Sequence, residues 1–223
     1  MNLLYNVPMG TTKEFNTVIE IPKESNHKYE YNPELETFEL DRILLPAMRY
    51  PGNYGFIPQT IAMDGDALDV LVVNAGTINL GAVVKCYPIA GLDMYDDGKR
   101  DVKIICMPTF HHRKEKFTKI DDFDPYFVDQ LHHFFSHYKD FDKKEVEIKG
   151  WLTSEECEEV IEDSTKRFGD YQESLLLSAL GFGDIQGSLL NTNTEAPSGS
   201  PFDDFLGDVF NDDFLGDMFG GLN

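Results

Sequence analysis

The chain has 223 residues, 41% of them apolar, enough for one domain of ordinary size with extra material or for two small ones. A formal net charge of −21 excludes non-specific binding to nucleic acid or anionic membranes, although Lys and Arg gathered in a cleft can still take phosphate. Three scattered cysteines without a CxxC pattern argue against a disulfide framework or a zinc site. They suit a reducing compartment. The first ten residues lack a basic n-region or a long apolar run, and no stretch approaches the roughly 18 apolar residues that span a bilayer. The expectation is a cytoplasmic protein that binds neither nucleic acid nor membrane.

In chain order, residues 15–21 read as a strand ended by Pro22, and Lys28 to Tyr31 as a second short strand before an Asn32-Pro33 turn. Residues 35–45 gather apolar side chains around Asp41-Arg42. Residues 51–58, with two glycines and two prolines, read as a constrained loop that holds Tyr54. Residues 67–73, 82–90 and 102–107 are further strands, and Asp96-Asp97-Gly98 is a turn before the last of them.

Helical signals come late. Asp124-Pro125 is a cap followed by proline at the first helical position. Phe127, Leu131, Phe134, Phe135 and Tyr138 then keep helical spacing, which predicts one buried stripe. Residues 145–151 alternate as a strand. Thr153-x-x-Glu156 is a capping box, from which a helix should run to about Arg167. The predicted fold class is α+β, mainly β: a small closed OB-like β-barrel flanked by two helices, with a disordered C-terminal tail.

Residues 168–223 carry ten Asp and Glu and no Lys or Arg, which marks a boundary. The expected organisation is a catalytic domain over 1–168, a short amphipathic helix within 169–190 and a flexible acidic-aromatic tail over 191–223. Asn191 to Ser200 has linker composition. Asp203-Asp204-Phe205-Leu206-Gly207-Asp208-Val209-Phe210 then repeats nine residues on as Asp212-Asp213-Phe214-Leu215-Gly216-Asp217-Met218-Phe219. Such a pair reads either as a solubilising extension or as two short motifs that dock a protein partner.

Asp64-Gly65-Asp66-Ala67-Leu68-Asp69 puts three carboxylates ahead of the apolar run Val70 to Val73. Alone it is a solvated turn. The chain also offers Glu20, Lys28, Glu30, Arg42, Tyr54, Asp96, Asp101, Lys103, Tyr138 and Lys139 in or beside predicted elements. Together these are oxygen ligands for a hard cation and partners for phosphate oxygens.

At this point the chain resembles the family I inorganic pyrophosphatases of the bacterial hexameric type, from Leu3 to about Arg167. The stretches that carry the resemblance are Val18-Ile19-Glu20-Ile21-Pro22, Lys28-Tyr29-Glu30, Asp41-Arg42, Tyr50-Pro51-Gly52-Asn53-Tyr54-Gly55, Asp64-Gly65-Asp66-x-x-Asp69, Asp96-x4-Asp101-x-Lys103 and His133 to Asp140. The resemblance implies hydrolysis of pyrophosphate with several Mg2+ ions per site, Mn2+ or Zn2+ being substitutes. It implies that Asp64, Asp69 and Asp101 hold metal, with Asp96, Glu20 and Glu30 as further metal positions. Asp66 resembles the general base toward the attacking water. Lys28, Arg42, Tyr54, Lys103, Tyr138 and Lys139 resemble the substrate-binding set. His133, His137 and Asp140 match subunit contacts of a homohexamer. Asp97 beside Asp96, and Phe56 in place of a common tyrosine, are departures from the pattern.

Two other classes fit these residues less well. A calcium-binding module is disfavoured because residues 64–69 lack the alternating ligand series and terminal Glu of an EF-hand loop. A scaffold that only displays the repeat would need none of Lys28, Arg42, Asp66 or Lys139.

Overall fold

The computed structural model describes residues 1–44, 48–73, 75–112, 114–140, 142 and 145–180. In chain order the strands are β1 (Phe15–Ile21), β2 (His27–Asn32), β3 (Thr37–Ile43), β4 (Asn53–Phe56), β5 (Asp69–Val72), β6 (Val83–Asp96), β7 (Lys99–Arg100) and β8 (Lys103–Pro108). Helix α1 (Pro125–His137), strand β9 (Val146–Leu152) and helix α2 (Ser154–Ala179) follow.

The main sheet runs β1-β4-β5-β8-β6, and β6 pairs back onto β1, which closes a five-stranded barrel. All these pairs are antiparallel except β5 with β8. The long β6 also carries β7 and β9 on its second half. Strands β2 and β3 form a separate hairpin. The predicted closed barrel with two helices is therefore the observed architecture.

Both faces of β5 and β8 are covered, which explains why their sequences run apolar without alternating. Val70, Val72, Ile104 and Cys106 belong to one buried cluster, which includes Cys157 and Ile161 of α2. Leu71, Ile105 and Met107 belong to the other, with Leu131, Phe134 and Phe135 of α1. Each fully buried side chain of this size contributes about 2 kcal/mol of transfer free energy.

Local signals set the helices. The Asp124 side chain accepts the Tyr126 N–H at 2.9 Å, with Pro125 at the first position of α1. Before α2 the Glu156 carboxylate accepts the Thr153 N–H at 2.7 Å, and Thr153 Oγ1 accepts the Glu156 N–H at 3.2 Å.

Two readings differ from the structure. Residues 51–58 are not wholly a loop: Asn53 to Phe56 form β4, buried throughout between β1 and β5. The glycines and prolines that suggest a turn instead allow close packing. Helix α2 passes Arg167 and continues to Ala179. Gln172, Glu173, Leu175 and Leu176 are good helix formers, and Gly169 costs only about 1 kcal/mol against alanine. By contacts the chain divides into Met1–Arg167 and Phe168–Asn223, and the described part of the second unit is the end of α2 with Leu180. The expected tail over 191–223, like residues 181–190, lies outside the described residues.

The three cysteines are free and buried. Among the described residues no helix is long and apolar enough to cross a membrane.

Gly55 marks the closest approach in the barrel: a Cβ there would stand 1.8 Å from the Val18 carbonyl oxygen on β1. Gly55→Ala should cost about 3 kcal/mol, because backbone rather than a flexible side chain must move. A denaturation midpoint equal to wild type would contradict this packing.

Candidate active site

Strand register decides which charges meet. Because β5 and β8 pair in parallel with Val70 beside Ile104, the preceding residues Asp69 and Lys103 lie together at one end of the barrel. The buried Lys103 ammonium donates to Asp101 Oδ1 at 2.6 Å and to Asp69 Oδ2. Burial opposes this charge, but Asp101 and Asp69 outweigh it and hold the ammonium well above its usual pKa. The ammonium stands 5.8 Å from the centroid of the Tyr54 ring. Burial raises the Tyr54 phenol well above its ordinary value, so it remains a donor.

The β2–β3 hairpin sets Lys28 opposite Arg42. Asp41 Oδ2 accepts from Lys28 Nζ at 3.0 Å and from Arg42 Nε at 2.8 Å, so one carboxylate orders both cations. Lys28 also pairs with Glu30, and Arg42 with Asp142. Just past α1, Lys139 pairs with Asp96 at the end of β6, and its ammonium stands 5.2 Å from the Tyr138 ring centroid.

The carboxylates are crowded. Glu20 of β1 is buried and accepts the Tyr31 N–H at 2.8 Å. Burial, opposed by that hydrogen bond and reinforced by Asp69 and Glu30, pushes its carboxyl up to about 8. In the turn ahead of β5, Asp64 Oδ1 accepts the Asp66 N–H at 3.2 Å. Burial raises the Asp64 carboxyl, with Asp101 and Asp69 adding to it. Asp66 lies at the exposed rim, yet partial burial and then Asp64, Asp69 and Glu30 push its carboxyl up to about 6. Water at the rim tempers that shift. Tyr138, raised by burial, also senses Lys103, Asp101, Asp69 and Asp96, which joins these groups into one cleft.

All thirteen candidate residues thus lie in or around one acidic cleft with four cations set into it. His133 and His137 lie elsewhere, on the exposed face of α1, their tilted rings 4.3 Å apart between centroids. Asp140 is exposed beyond that helix.

The donor set fits a hard divalent cation. It consists of carboxylates, without His or Cys. Asp96 Oδ1 is buried without a hydrogen-bond partner among the described residues, and an uncompensated buried carboxylate oxygen is costly. Among the described residues no three His, Cys, Asp or Glu side chains are grouped so as to hold a metal ion; Lys103 pairs with Asp69 and Asp101, and Lys139 with Asp96.

Three contributors escaped the candidate set. Asp41 was legible as part of Asp41-Arg42, but its bridging needs the hairpin register. Asp142 reaches Arg42 across 100 residues of chain, which no local pattern signals. Tyr50 is buried, its hydroxyl has no partner among the described residues, and it senses Tyr138, Asp69, Lys103 and Glu20.

The comparisons with known proteins agree on one family. Residues 17–169 match the family model described as inorganic pyrophosphatase. The inorganic pyrophosphatase of Methanosarcina mazei is 36% identical over 156 residues, 70% of this chain and 92% of that one. That of Synechocystis is 39% identical over 153 residues, 69% of this chain and 90% of that one. The crystal structure of inorganic pyrophosphatase from Thermus thermophilus superposes with a TM-score of 0.72 at 34% identity, covering 76% of this chain and 99% of that chain. With the matched segment, residues 17–169, taking in all thirteen candidate residues of the acidic cleft, the chain belongs to the family I inorganic pyrophosphatases.

Proposed function

We propose that this chain hydrolyses inorganic pyrophosphate to two phosphates in a magnesium-dependent reaction. The observation that carries the reading is the acidic cleft with Lys28, Arg42, Lys103 and Lys139 set among its carboxylates, in a chain of this family.

Asp64, Asp69 and Asp101 would hold Mg2+, with Asp96, Glu20 and Glu30 as further positions, and Mn2+ or Zn2+ as substitutes. When bound, the cations supply charge neutralisation of phosphate oxygens and acidify water. Lys28, Arg42 and Lys139 bind the substrate's anionic oxygens and favour departure of the phosphate leaving group. Asp41 keeps Lys28 and Arg42 side by side, so little ordering remains to be done on binding. Lys103 and Tyr54 support the barrel end of the cleft, and Tyr138 offers a protonated phenol. Asp66, at the rim beside Asp64 and Asp69, takes the proton from the attacking water. Three free cysteines fit a cytoplasmic enzyme.

Purified chain should release phosphate from pyrophosphate with magnesium and none with EDTA. Asp69→Asn should keep the fold by circular dichroism and lose about 100-fold or more in turnover. Near-wild-type turnover by that variant would overturn the metal assignment.

The exposed His133, His137 and Asp140 support a homohexamer, as contacts between subunits. Sedimentation velocity at micromolar concentration should give a hexamer, and a monomer would refute this assembly.

The duplicated acidic-aromatic segment within 191–223 is read as a docking motif for a protein partner, with copies on each subunit adding avidity. Deleting 191–223 should leave turnover unchanged. Loss of turnover would assign the tail to the catalytic site instead.

A further inference from the structure

The loop over residues 57–68 carries Asp64 and Asp66, and its backbone is fixed at two levels. At its neck the Ile57 N–H donates to the Leu68 carbonyl at 2.9 Å. There the buried Thr60 hydroxyl donates to the Ile57 carbonyl at 2.6 Å and accepts the Leu68 N–H at 3.0 Å. At its tip the Ala62 N–H donates to the Asp66 carbonyl at 2.7 Å, and Gly65 makes the turn with φ +102°.

Between neck and tip lies Ile61, and α2 grips both of its polar backbone atoms. Its N–H donates to the Ser164 carbonyl at 2.9 Å. Its carbonyl accepts from Arg167 Nε at 2.8 Å. A second arm of the guanidinium donates to Ser164 Oγ at 2.9 Å, and Ser164 is fully buried. Ser164 and Arg167 therefore hold Ile61 as a pair of jaws, three residues before Asp64.

A neutral donor could make both of Arg167's hydrogen bonds, so its charge calls for a separate reason. Burial pulls the guanidinium below its usual range, opposed by Asp163 and Asp64. Asp163 lies on α2, whereas Asp64 is the first acid of the loop that Arg167 grips.

We propose that Arg167 is a positioning residue for the acidic loop: acting through the Ile61 backbone, it fixes where Asp64 and Asp66 stand and so sets the affinity of the cleft for magnesium. The inference rests on the reading of that loop as a magnesium site. Geometry of ligating carboxylates depends on what holds them, and loss of such support typically weakens metal binding about 10- to 100-fold.

The experiment uses the full chain and compares Arg167→Met, Arg167→Gln and Arg167→Lys with wild type. The readouts are magnesium affinity by titration calorimetry without pyrophosphate, the melting midpoint in EDTA, and kcat and KM at low and saturating magnesium. Arg167→Met should bind magnesium about tenfold more weakly, with kcat depressed at low magnesium and largely restored at saturation. Arg167→Lys, which keeps a charged donor, should recover part of the affinity. If Arg167→Met does not fold, Arg167→Gln, which keeps neutral donors, carries the comparison. Wild-type magnesium affinity in a folded variant whose melting midpoint alone falls would make the jaws purely structural and overturn the proposal. A wild-type chain with no magnesium-dependent turnover would instead overturn the reading of the site itself.

Discussion

The ammonium of Lys103, held between Asp69 and Asp101 at one end of the barrel, is the interaction on which the site depends. It is also an expensive one. Removing a lysine and a carboxylate from water costs several kcal/mol for each ion, and mutual attraction recovers this only with good geometry. Here the geometry is set by backbone pairing: β5 and β8 run in parallel, and their first residues are forced side by side. The ion cluster is therefore better understood as site architecture than as a source of stability. Two carboxylates facing each other without a cation would repel, and Lys28, Arg42 and Lys103 each pair with two of them.

Stability comes from elsewhere. The barrel wall is sandwiched between α1 and α2 side chains, so adjacent residues of β5 and β8 feed two separate apolar clusters. A wall buried on both faces resists deformation, and polar groups at its end are placed as firmly as the strands that carry them. The acidic turn between β4 and β5 is the exception, since it leaves the sheet. Its rigidity depends on hydrogen bonds to its neck and to α2 rather than on strand pairing. The helix that covers one face of the barrel thus also braces the segment that carries Asp64 and Asp66.

Much of this was legible beforehand. Apolar runs located β1, β5 and β8, and the cap residues Asp124 and Thr153 located the starts of both helices, because these signals act within a few residues. The candidate carboxylates and cations were legible through ordered motifs. The reading failed where local composition and tertiary packing conflict. Tyr50-Pro51-Gly52-Asn53-Tyr54-Gly55 has the composition of a loop, but Gly55 is needed because β4 presses against the Val18 carbonyl, a contact absent from any local window. The end of α2 departs from the sequence expectation for a related reason: the charge boundary after Arg167 is a change in surface chemistry, and helix propensity continues across it.

The sequence by itself determined the chemical inventory: a hard-oxygen donor set, the cations that match phosphate, the strand and helix types, and the motif order that carries the family resemblance. Those properties reside in residue identity and short-range spacing. Only the tertiary structure decided which charges neutralise one another. Asp41 serves two cations because the β2–β3 register shifts between Lys28 and Tyr29 and leaves it as the extra residue beside the Lys28–Arg42 pair, Asp142 reaches Arg42 from 100 residues away, and Arg167 grips Ile61 from α2. Such partnerships depend on strand register and helix placement, which are set by the collective burial of two apolar clusters and are not encoded in any single segment.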